Sequence, residues 1–152
     1  SLSSMQNETI KIILADDDED DRLFFIEAFE ELRMKTEVTT VNDGNALMKK
    51  LDCSAEQLPH ILFLDLNMPF KNGMECLKEI KNNPLLKNIA IAIYSTSSAD
   101  TDVENTFVQG ANVYIKKPSD FSTLKKVLAE VVTLNWQYHT SGLNKDNFLL
   151  RL

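Results

Sequence analysis

Short and largely apolar stretches alternate along the chain with longer stretches of helical periodicity. Strands of that composition are buried on both faces of a sheet, and helices between them imply parallel crossover connections. The pattern therefore predicts an α/β fold, a doubly wound five-stranded parallel sheet flanked by helices. The predicted strands are Ile10–Ala15, the β-branched Thr36–Val41, and residues 60–64, 89–94 and 112–115.

Helices are predicted between and after these strands, over residues 22–33, 46–51, 73–82, 99–109 and 119–138. In the first helix, apolar residues at helical spacing form one stripe that would face the core. The residues of this stripe are Phe25, Ala28, Phe29 and Leu32. Leu23 and Ile26 fall outside it, so we expect these two side chains to remain partly exposed.

The chain is acidic, with 16 basic and 23 acidic residues and a formal net charge of −7. This charge repels nucleic acids and anionic membranes, so neither is expected as a direct partner. The apolar runs fall far short of the roughly 18 residues that a membrane-spanning helix needs. The two cysteines form no CxxC pair and the sequence shows no export signal, so the cytoplasm is the expected compartment.

A length of 152 residues corresponds to one domain, which we place at residues 9–138. Residues 1–8 are interpreted as an N-terminal tail and residues 139–152 as a C-terminal extension. The extension is too short for a separate output domain. It nevertheless carries several large apolar residues, and we expect something to cover them from water.

Polar side chains directly follow four of the predicted strands. Asp16 and Asp17 come after the first strand and Asp65 after the third. Ser95 comes after the fourth strand and Lys117 after the fifth. In doubly wound sheets, sites lie beyond the carboxyl ends of the strands, so we expect these side chains to meet at one edge.

The charges expected at this edge indicate a missing cation. Three carboxylates against the ammonium of Lys117 leave a charge of three minus one, or −2, which a divalent cation would offset. The oxygen-only ligands of Asp16, Asp17 and Asp65 suit Mg²⁺ or Mn²⁺ rather than zinc. Lysine, hydroxyl and Mg²⁺ are also what a phosphoryl group requires, and a carboxylate nucleophile there could form an acyl phosphate.

Three other interpretations of these residues fit the sequence less well. Asp16, Asp18 and Asp20 have the spacing of a calcium loop, but Asp21 stands where that loop needs Gly. A haloacid-dehalogenase-like phosphatase would need a second Asp where Asn67 stands. A flavin site of the flavodoxin kind would need hydroxyls in place of the acidic run. We interpret Asp20 and Asp21 as a solvated helix face.

Four motifs make the sequence resemble the receiver domains of bacterial two-component response regulators. Asp65 and Ser95 are 30 residues apart (95 minus 65), and Ser95 and Lys117 are 22 apart (117 minus 95). The resemblance covers about residues 9–138 and implies the strand order 2-1-3-4-5. The motifs are Ile13-Leu14-Ala15-Asp16-Asp17, Leu64-Asp65-Leu66-Asn67-Met68-Pro69 followed by Asn72-Gly73, Tyr94-Ser95-Thr96, and Tyr114-Ile115 followed by Lys117-Pro118.

The resemblance implies the chemistry of the site. Asp65 would accept a phosphoryl group from a sensor histidine kinase or a phosphotransfer protein, in a reaction that depends on Mg²⁺ (Mn²⁺ possible). The domain would itself catalyse this transfer and a slow dephosphorylation. Asp17 and Asp65 would bind the metal directly, Asp16 through a water, and Asn67 through its backbone carbonyl.

The resemblance also implies how phosphorylation is sensed. Ser95 and Lys117 would each contact a phosphoryl oxygen. Tyr114 would be a switch residue that turns inward once Ser95 moves toward the phosphate. The peptide bond between Lys117 and Pro118 would be cis.

The expected output is protein–protein contact, as in the stand-alone regulators that pair with phytochromes and other sensor kinases. Leu23 and Ile26 are expected to dock the helical hairpin of the kinase. A homodimer is expected through the face of the fourth helix, fifth strand and fifth helix, extended by the C-terminal tail. The alternative is an interaction module that keeps the receiver fold but works without phosphorylation.

Overall fold

One parallel sheet of six strands organises the computed structural model, which describes residues 8–141 and 150–151 and the side chains of residues 8–135. The strands are β1 (Ile10–Ala15), β2 (Thr36–Val41), β3 (Ile61–Leu64), β4 (Ala90–Ser95), β5 (Val113–Lys116) and β6 (Leu150–Arg151). Their order in the sheet is β2-β1-β3-β4-β5-β6. The five predicted strands and their order 2-1-3-4-5 are therefore confirmed.

Five α-helices connect and follow these strands, as predicted: α1 (Glu19–Leu32), α2 (Gly44–Leu51), α3 (Gly73–Lys81), α4 (Asp100–Val108) and α5 (Phe121–Ser141). Helix α1 begins three residues earlier than its apolar periodicity indicates. The side chain of Asp18 caps it by accepting from the backbone N–H of Asp21 at 3.0 Å. Acidic residues fill its first turn, where the positive end of the helix dipole stabilises them.

Strand β6 lies within the predicted C-terminal extension and was not foreseen. It pairs in parallel with β5, so that Val113 faces Leu150 and Tyr114 faces Arg151. A two-residue strand carries too little sequence pattern to be recognised, since strand prediction rests on runs of four residues or more. Helix α5 also continues to Ser141, three residues into this extension. Among the described residues, no helix combines the length and hydropathy needed to cross a membrane.

The sheet divides the core into two layers. On one side, α1 and α5 pack on the sheet, and Phe25 of α1 contacts Phe29, Phe63 and Tyr94 with ring centroids 5.0 to 5.9 Å apart. On the other side the core includes residues of α2 and α3, with Leu47 and Leu77 fully buried. Each such side chain contributes roughly 1.5–3 kcal/mol by leaving water. Burial on both faces explains why β1, β3 and β4 are almost entirely apolar.

Candidate functional site

The parallel register of β1 and β3 brings two carboxylates to the same edge of the sheet. Ala15 pairs with Leu64 at the carboxyl ends of these strands, and the next residue of each chain segment is an aspartate. The backbone N–H of Asp65 donates to the carbonyl of Ala15 at 2.9 Å. Asp16 is fully buried and Asp65 is 4% exposed. Both carboxylates are therefore held in a pocket, as the sequence predicted.

A third carboxylate completes an acidic cluster with them. Asp17 is exposed, and one carboxylate oxygen from each of Asp16, Asp17 and Asp65 lies within 4.8 Å of the others. The cluster therefore combines two buried carboxylates with one that is exposed to solvent.

Lys117 reaches the cluster from the end of β5. Its Nζ lies 2.8 Å from Oδ2 of Asp16 and 3.4 Å from Oδ2 of Asp65. The backbone N–H of Lys117 donates to the carbonyl of Ser95 at 2.7 Å, which fixes the start of this side chain relative to β4. Only 9% of the side chain is exposed. The predicted meeting of these residues at one edge is what the structure shows.

Asp21 is the site residue that sequence reasoning missed. It lies in the first turn of α1, and its Oδ2 is 2.8 Å from Nζ of Lys117. The interpretation of Asp21 as part of a solvated face is therefore wrong, although it holds for the exposed Asp20. The signal that could have found it is the cap at Asp18, which sets α1 close enough to the strand ends for its first turn to face the pocket.

The pocket holds more negative charge than the sequence indicated. Asp16, Asp17, Asp21 and Asp65 against Lys117 give four minus one, a charge of −3. Burial raises the pKa of Asp16 to about 6, although Lys117 and the N–H of Asp18 act in the opposite direction. Burial also raises the pKa of Asp65. For Lys117 burial alone would lower the pKa, but the nearby carboxylates of Asp16 and Asp21 outweigh burial and raise it.

The residues present fit a divalent cation that prefers oxygen ligands. Oδ2 of Asp16 is buried and has ion-pair contact with Lys117 at 2.8 Å, yet the angles of that contact are not those of a hydrogen bond. This oxygen therefore retains an unsatisfied lone pair in a low-dielectric pocket. Three clustered carboxylates with no His or Cys among them match the preference of Mg²⁺ and Mn²⁺. The backbone N–H of Asn67 donates to Oδ1 of Asp65 at 3.1 Å, so the backbone of Asn67 lies beside the cluster.

Ser97 joins the two predicted switch residues. Its N–H donates to Oγ of the fully buried Ser95 at 3.1 Å. The hydroxyl of Tyr114 donates to the carbonyl of Ser97 at 2.9 Å, and Oγ of Ser97 donates to Oδ2 of Asp102 in α4 at 2.5 Å. Tyr114 is 2% exposed, so it already lies inward while Ser95 is bonded to Ser97, whereas the sequence predicted this position only after Ser95 moves toward a phosphate. Ser95 and Tyr114 are thus connected through one residue that sequence reasoning did not assign to the switch.

The peptide bond between Lys117 and Pro118 is trans, as are all peptide bonds in the described part of the chain. The expectation of a cis bond at this position is therefore wrong. The trans form is also the one that X-Pro bonds favour intrinsically, by about 0.5–1 kcal/mol.

Large apolar side chains are exposed around this edge. Leu23 is 56% exposed and Ile26 is half-buried, as expected from the stripe on α1. Two more were not foreseen: Phe24, which is 53% exposed, and Phe70, which is 85% exposed in the loop between β3 and α3. Exposed apolar groups therefore lie on the two segments, α1 and the loop after β3, that follow Asp17 and Asp65 along the chain.

Comparison with known proteins gives a consistent match at the level of sequence. A family described as the response regulator receiver domain matches residues 12–129. Response regulator Rcp1 of Synechocystis is 31% identical over 131 residues, which are 84% of this chain and 89% of Rcp1. The probable chemotaxis protein CheY of Rhizobium etli is 30% identical over 124 residues, 82% of this chain and 93% of that protein.

Solved structures also match this chain. The crystal structure of the Mn²⁺-bound form of Rcp1 has a TM-score of 0.72 at 30% identity, covering 82% of this chain and 92% of that one. The phosphorylated cyanobacterial phytochrome response regulator RcpA has a TM-score of 0.75 at 30% identity, covering 90% of this chain and 98% of that one.

Proposed function

Because the chain belongs to the response regulator receiver domain family of two-component signalling, we propose that it accepts a phosphoryl group on Asp65 from a sensor histidine kinase or a phosphotransfer protein. The observation that carries the proposal is the contact of Lys117 with Asp65 at 3.4 Å inside the acidic cluster. This pairs a carboxylate nucleophile with a fixed cation. The proposal places the reaction in the cytoplasm, where ATP supplies the kinase.

The chemistry requires a nucleophile and charge neutralisation. An oxygen of Asp65 attacks the phosphorus of a phosphohistidine, the P–N bond breaks, and the electron pair leaves with the imidazole nitrogen, which takes up a proton. The product is an acyl phosphate. The ammonium of Lys117 offsets charge on one phosphoryl oxygen, and the hydroxyl of Ser95 donates to another.

Asp16, Asp17, Asp65 and the backbone carbonyl of Asn67 would hold Mg²⁺, with Mn²⁺ as a substitute and Asp16 acting through a water. Bound there, the ion would supply positive charge next to the phosphoryl oxygens. The spacing of the three carboxylates and the unsatisfied buried oxygen of Asp16 support this assignment. The Mn²⁺-bound form of Rcp1 supports it from outside the chain.

Ser95 and Tyr114 would carry the phosphorylation signal. When Ser95 donates to the phosphoryl group, its hydroxyl leaves the N–H of Ser97 and disturbs the residue that also holds Tyr114. We propose that the output is a homodimer through α4, β5 and α5, extended by the C-terminal residues. Within the chain, β6 pairs with β5, so residues 150–151 of the extension fold back onto the same chain, and the dimer competes with this arrangement as the role of the extension.

The acceptor proposal is tested with acetyl phosphate as a small donor. Mg²⁺ and acetyl phosphate should label the wild-type chain on Asp65, whereas Asp65→Asn should not be labelled and EDTA should prevent labelling. Asp20→Asn, a change of the same kind at an exposed position, serves as the control and should be labelled normally. Labelling of Asp65→Asn at the wild-type level would refute the assignment of Asp65 as acceptor. Labelling that EDTA leaves unchanged would refute the dependence of the reaction on a bound metal ion.

The donor and output proposals have separate tests. Leu23→Glu and Ile26→Glu should slow transfer from the kinase and leave acetyl phosphate labelling intact, while equal loss in both assays would indicate a damaged fold.

For the output, light scattering should compare the full chain with a truncation after Thr140, each with and without beryllofluoride. A full chain that stays monomeric at about 100 μM in both states, well above a micromolar Kd, contradicts the dimer. If labelling by acetyl phosphate also fails, the alternative function is an interaction module that keeps the receiver fold and works without phosphorylation.

A further inference from the structure

Phe70 combines a strained backbone with an exposed side chain. Its φ is +67°, in the left-handed region that residues other than Gly and Asn rarely adopt. The N–H of Lys71 donates to the carbonyl of Pro69 at 2.7 Å, so Phe70 is the central residue of a γ-turn with positive φ. This is the rare and strained form of the turn. A large aromatic residue is an unfavourable choice for such a position.

The loop is held in this conformation from both sides. Gly73 packs so closely that a Cβ there would overlap the carbonyl oxygen of Asp65, and a Cβ at Gly44 would overlap that of Lys71. The N–H of Gly73 also donates to the carbonyl of Leu66 at 3.0 Å. Strain of this kind persists only where neighbouring contacts determine the backbone. The backbone contacts therefore fix the direction in which the Cα–Cβ bond of Phe70 points, without any contribution from packing of the ring.

The ring contributes little to the fold. It is 85% exposed, the largest exposed fraction among the large apolar side chains that the structure describes. The adjacent Met68, by comparison, is 8% exposed and packs in the core on the side of α2 and α3. A Gly or Asn at position 70 would adopt the same φ at lower cost and would lose no buried contact. Any benefit of the ring therefore comes from a molecule outside the chain.

The position of Phe70 and the charge beside it indicate which molecule that is. Phe70 lies in the loop between β3 and α3, which begins directly after β3 at Asp65 and returns to Asp65 at Gly73, where a Cβ would overlap the carbonyl oxygen of Asp65. A donor protein that delivers a phosphoryl group to Asp65 must approach over this edge, next to a pocket of charge −3. Its contact surface is therefore expected to carry Lys or Arg around the reactive histidine. Rigid aromatic side chains of this kind are frequent energetic anchors of interfaces.

We infer that Phe70 is an aromatic anchor for the phosphohistidine-bearing donor, and that its ring inserts into an apolar recess bordered by basic side chains on that protein. The inference rests on the proposed function, since it presupposes that Asp65 is phosphorylated by a histidine kinase. The inference adds to that function a specific contact residue, Phe70, and the chemistry of the partner surface that this residue would bind. It also predicts that removing the ring makes the chain more stable and slower to accept phosphate from a protein.

The test compares a protein donor with a small donor of the same bond type. The protein donor is the autophosphorylated sensor kinase of the source organism that labels the wild-type chain fastest, and the small donor is phosphoramidate, which also has a P–N bond. Phe70→Gly should slow transfer from the kinase about tenfold, the effect of losing one interface anchor. It should keep phosphoramidate labelling within about twofold of wild type, and it should raise the Tm by about 2–4 °C by relieving strain.

Two further variants serve as controls. Leu85→Gly removes another strongly exposed side chain, 79% exposed and in a loop that does not border the pocket, and should leave both rates unchanged. Phe70→Tyr keeps an aromatic ring and should keep fast transfer from the kinase. Normal transfer from the kinase to Phe70→Gly, or equal slowing with both donors, would overturn the inference. A wild-type chain that phosphoramidate labels but no kinase labels would instead overturn the proposed donor, and absence of labelling by phosphoramidate would overturn the assignment of Asp65.

Discussion

The ammonium of Lys117 is as close to Asp21 as to Asp16, at 2.8 Å from Oδ2 of each, and farther from Asp65, at 3.4 Å. The lysine that would neutralise a phosphoryl group on Asp65 is thus shared with a carboxylate from the first turn of α1. In the proposed reaction, an arriving phosphoryl group would have to compete with Asp21 for this cation. Asp21 would therefore influence the reaction without touching the acceptor.

Replacing Asp21 should accelerate phosphorylation by a small donor. In Asp21→Asn the ammonium of Lys117 is less strongly held, and one charge that repels the anionic donor is removed. We expect labelling by acetyl phosphate at saturating Mg²⁺ to be about two- to fivefold faster, an effect of less than 1 kcal/mol. Asp20→Asn is the matched control, because Asp20 is exposed and lies in the same turn. Equal rates in the two variants would show that only the net charge of the turn matters.

The stability of the metal-free protein should increase as the pH is lowered from 7 to 5. The pKa of Asp16 is about 6 in the folded state and 3.8 ordinarily, so between these values the folded state binds more protons than the unfolded state. Stability from this group is therefore lost as the pH rises through 6, and Asp65, whose pKa is also raised, acts in the same direction. We expect a difference of about 1–3 kcal/mol in urea unfolding with EDTA present. Asp16→Asn should reduce this dependence, and an unchanged dependence would contradict the burial of its charge.

Metal binding should depend on Asp17, although it is the exposed member of the cluster. In Asp17→Asn one anionic ligand is lost, and we expect Mg²⁺ binding in calorimetric titration to weaken at least about tenfold. Asp20→Asn again provides a matched control and should bind Mg²⁺ nearly as wild type does. Chelation by EDTA should lower the Tm of the wild type and have little effect on Asp17→Asn. A wild-type affinity in Asp17→Asn would exclude it as a ligand.

Ser97 should stabilise the start of α4. Ala99 occupies the N-cap position of this helix and has no side chain that can cap it. Oγ of Ser97 instead accepts from the N–H of Ala99 at 3.2 Å and donates to Asp102 at 2.5 Å. Ser97→Ala should cost about 0.5–2 kcal/mol, as the loss of a cap does. Amide exchange at Asp102 and Val103 should accelerate.

A control for Ser97→Ala is available in the same turn. Thr101→Ala changes an exposed residue of α4 that does not take part in these bonds, and it should leave amide exchange at Asp102 unchanged. If both variants accelerate exchange equally, the first turn of α4 is held by something other than Ser97.

The sequence predicted those parts of the fold and site that depend on strands. Apolar runs identify β1, β3 and β4 because both faces of the sheet are covered, and strand ends in a parallel sheet converge at one edge. Asp16, Asp65 and Lys117 follow directly from that rule. Their side chains meet because the register aligns Ala15 with Leu64 and Ser95 with Lys116.

The parts that depend on loops and helix starts could not be predicted in this way. Asp21 reaches the pocket because Asp18 caps α1 earlier than the apolar stripe suggests. The bonds of Ser97 depend on the path of the loop between β4 and α4, which has no periodicity to interpret. The turn at Phe70 was hidden because turn signals point to glycine or asparagine at positive φ, and here close packing by Gly44 and Gly73 imposes it on phenylalanine instead.

The short strand β6 has a practical consequence for anyone who labels or tags this protein. Arg151 of β6 lies in register with Tyr114 of β5, so an affinity tag or fluorophore attached after Leu152 would follow directly on a segment that pairs with the strand of the predicted switch residue. A tag or fluorophore at this position would be expected to disturb both its own signal and the conformational response of β5 that it is meant to report. The amino terminus is the better place, because Ile10 begins β1 at the end of the strand opposite the one that Asp16 follows.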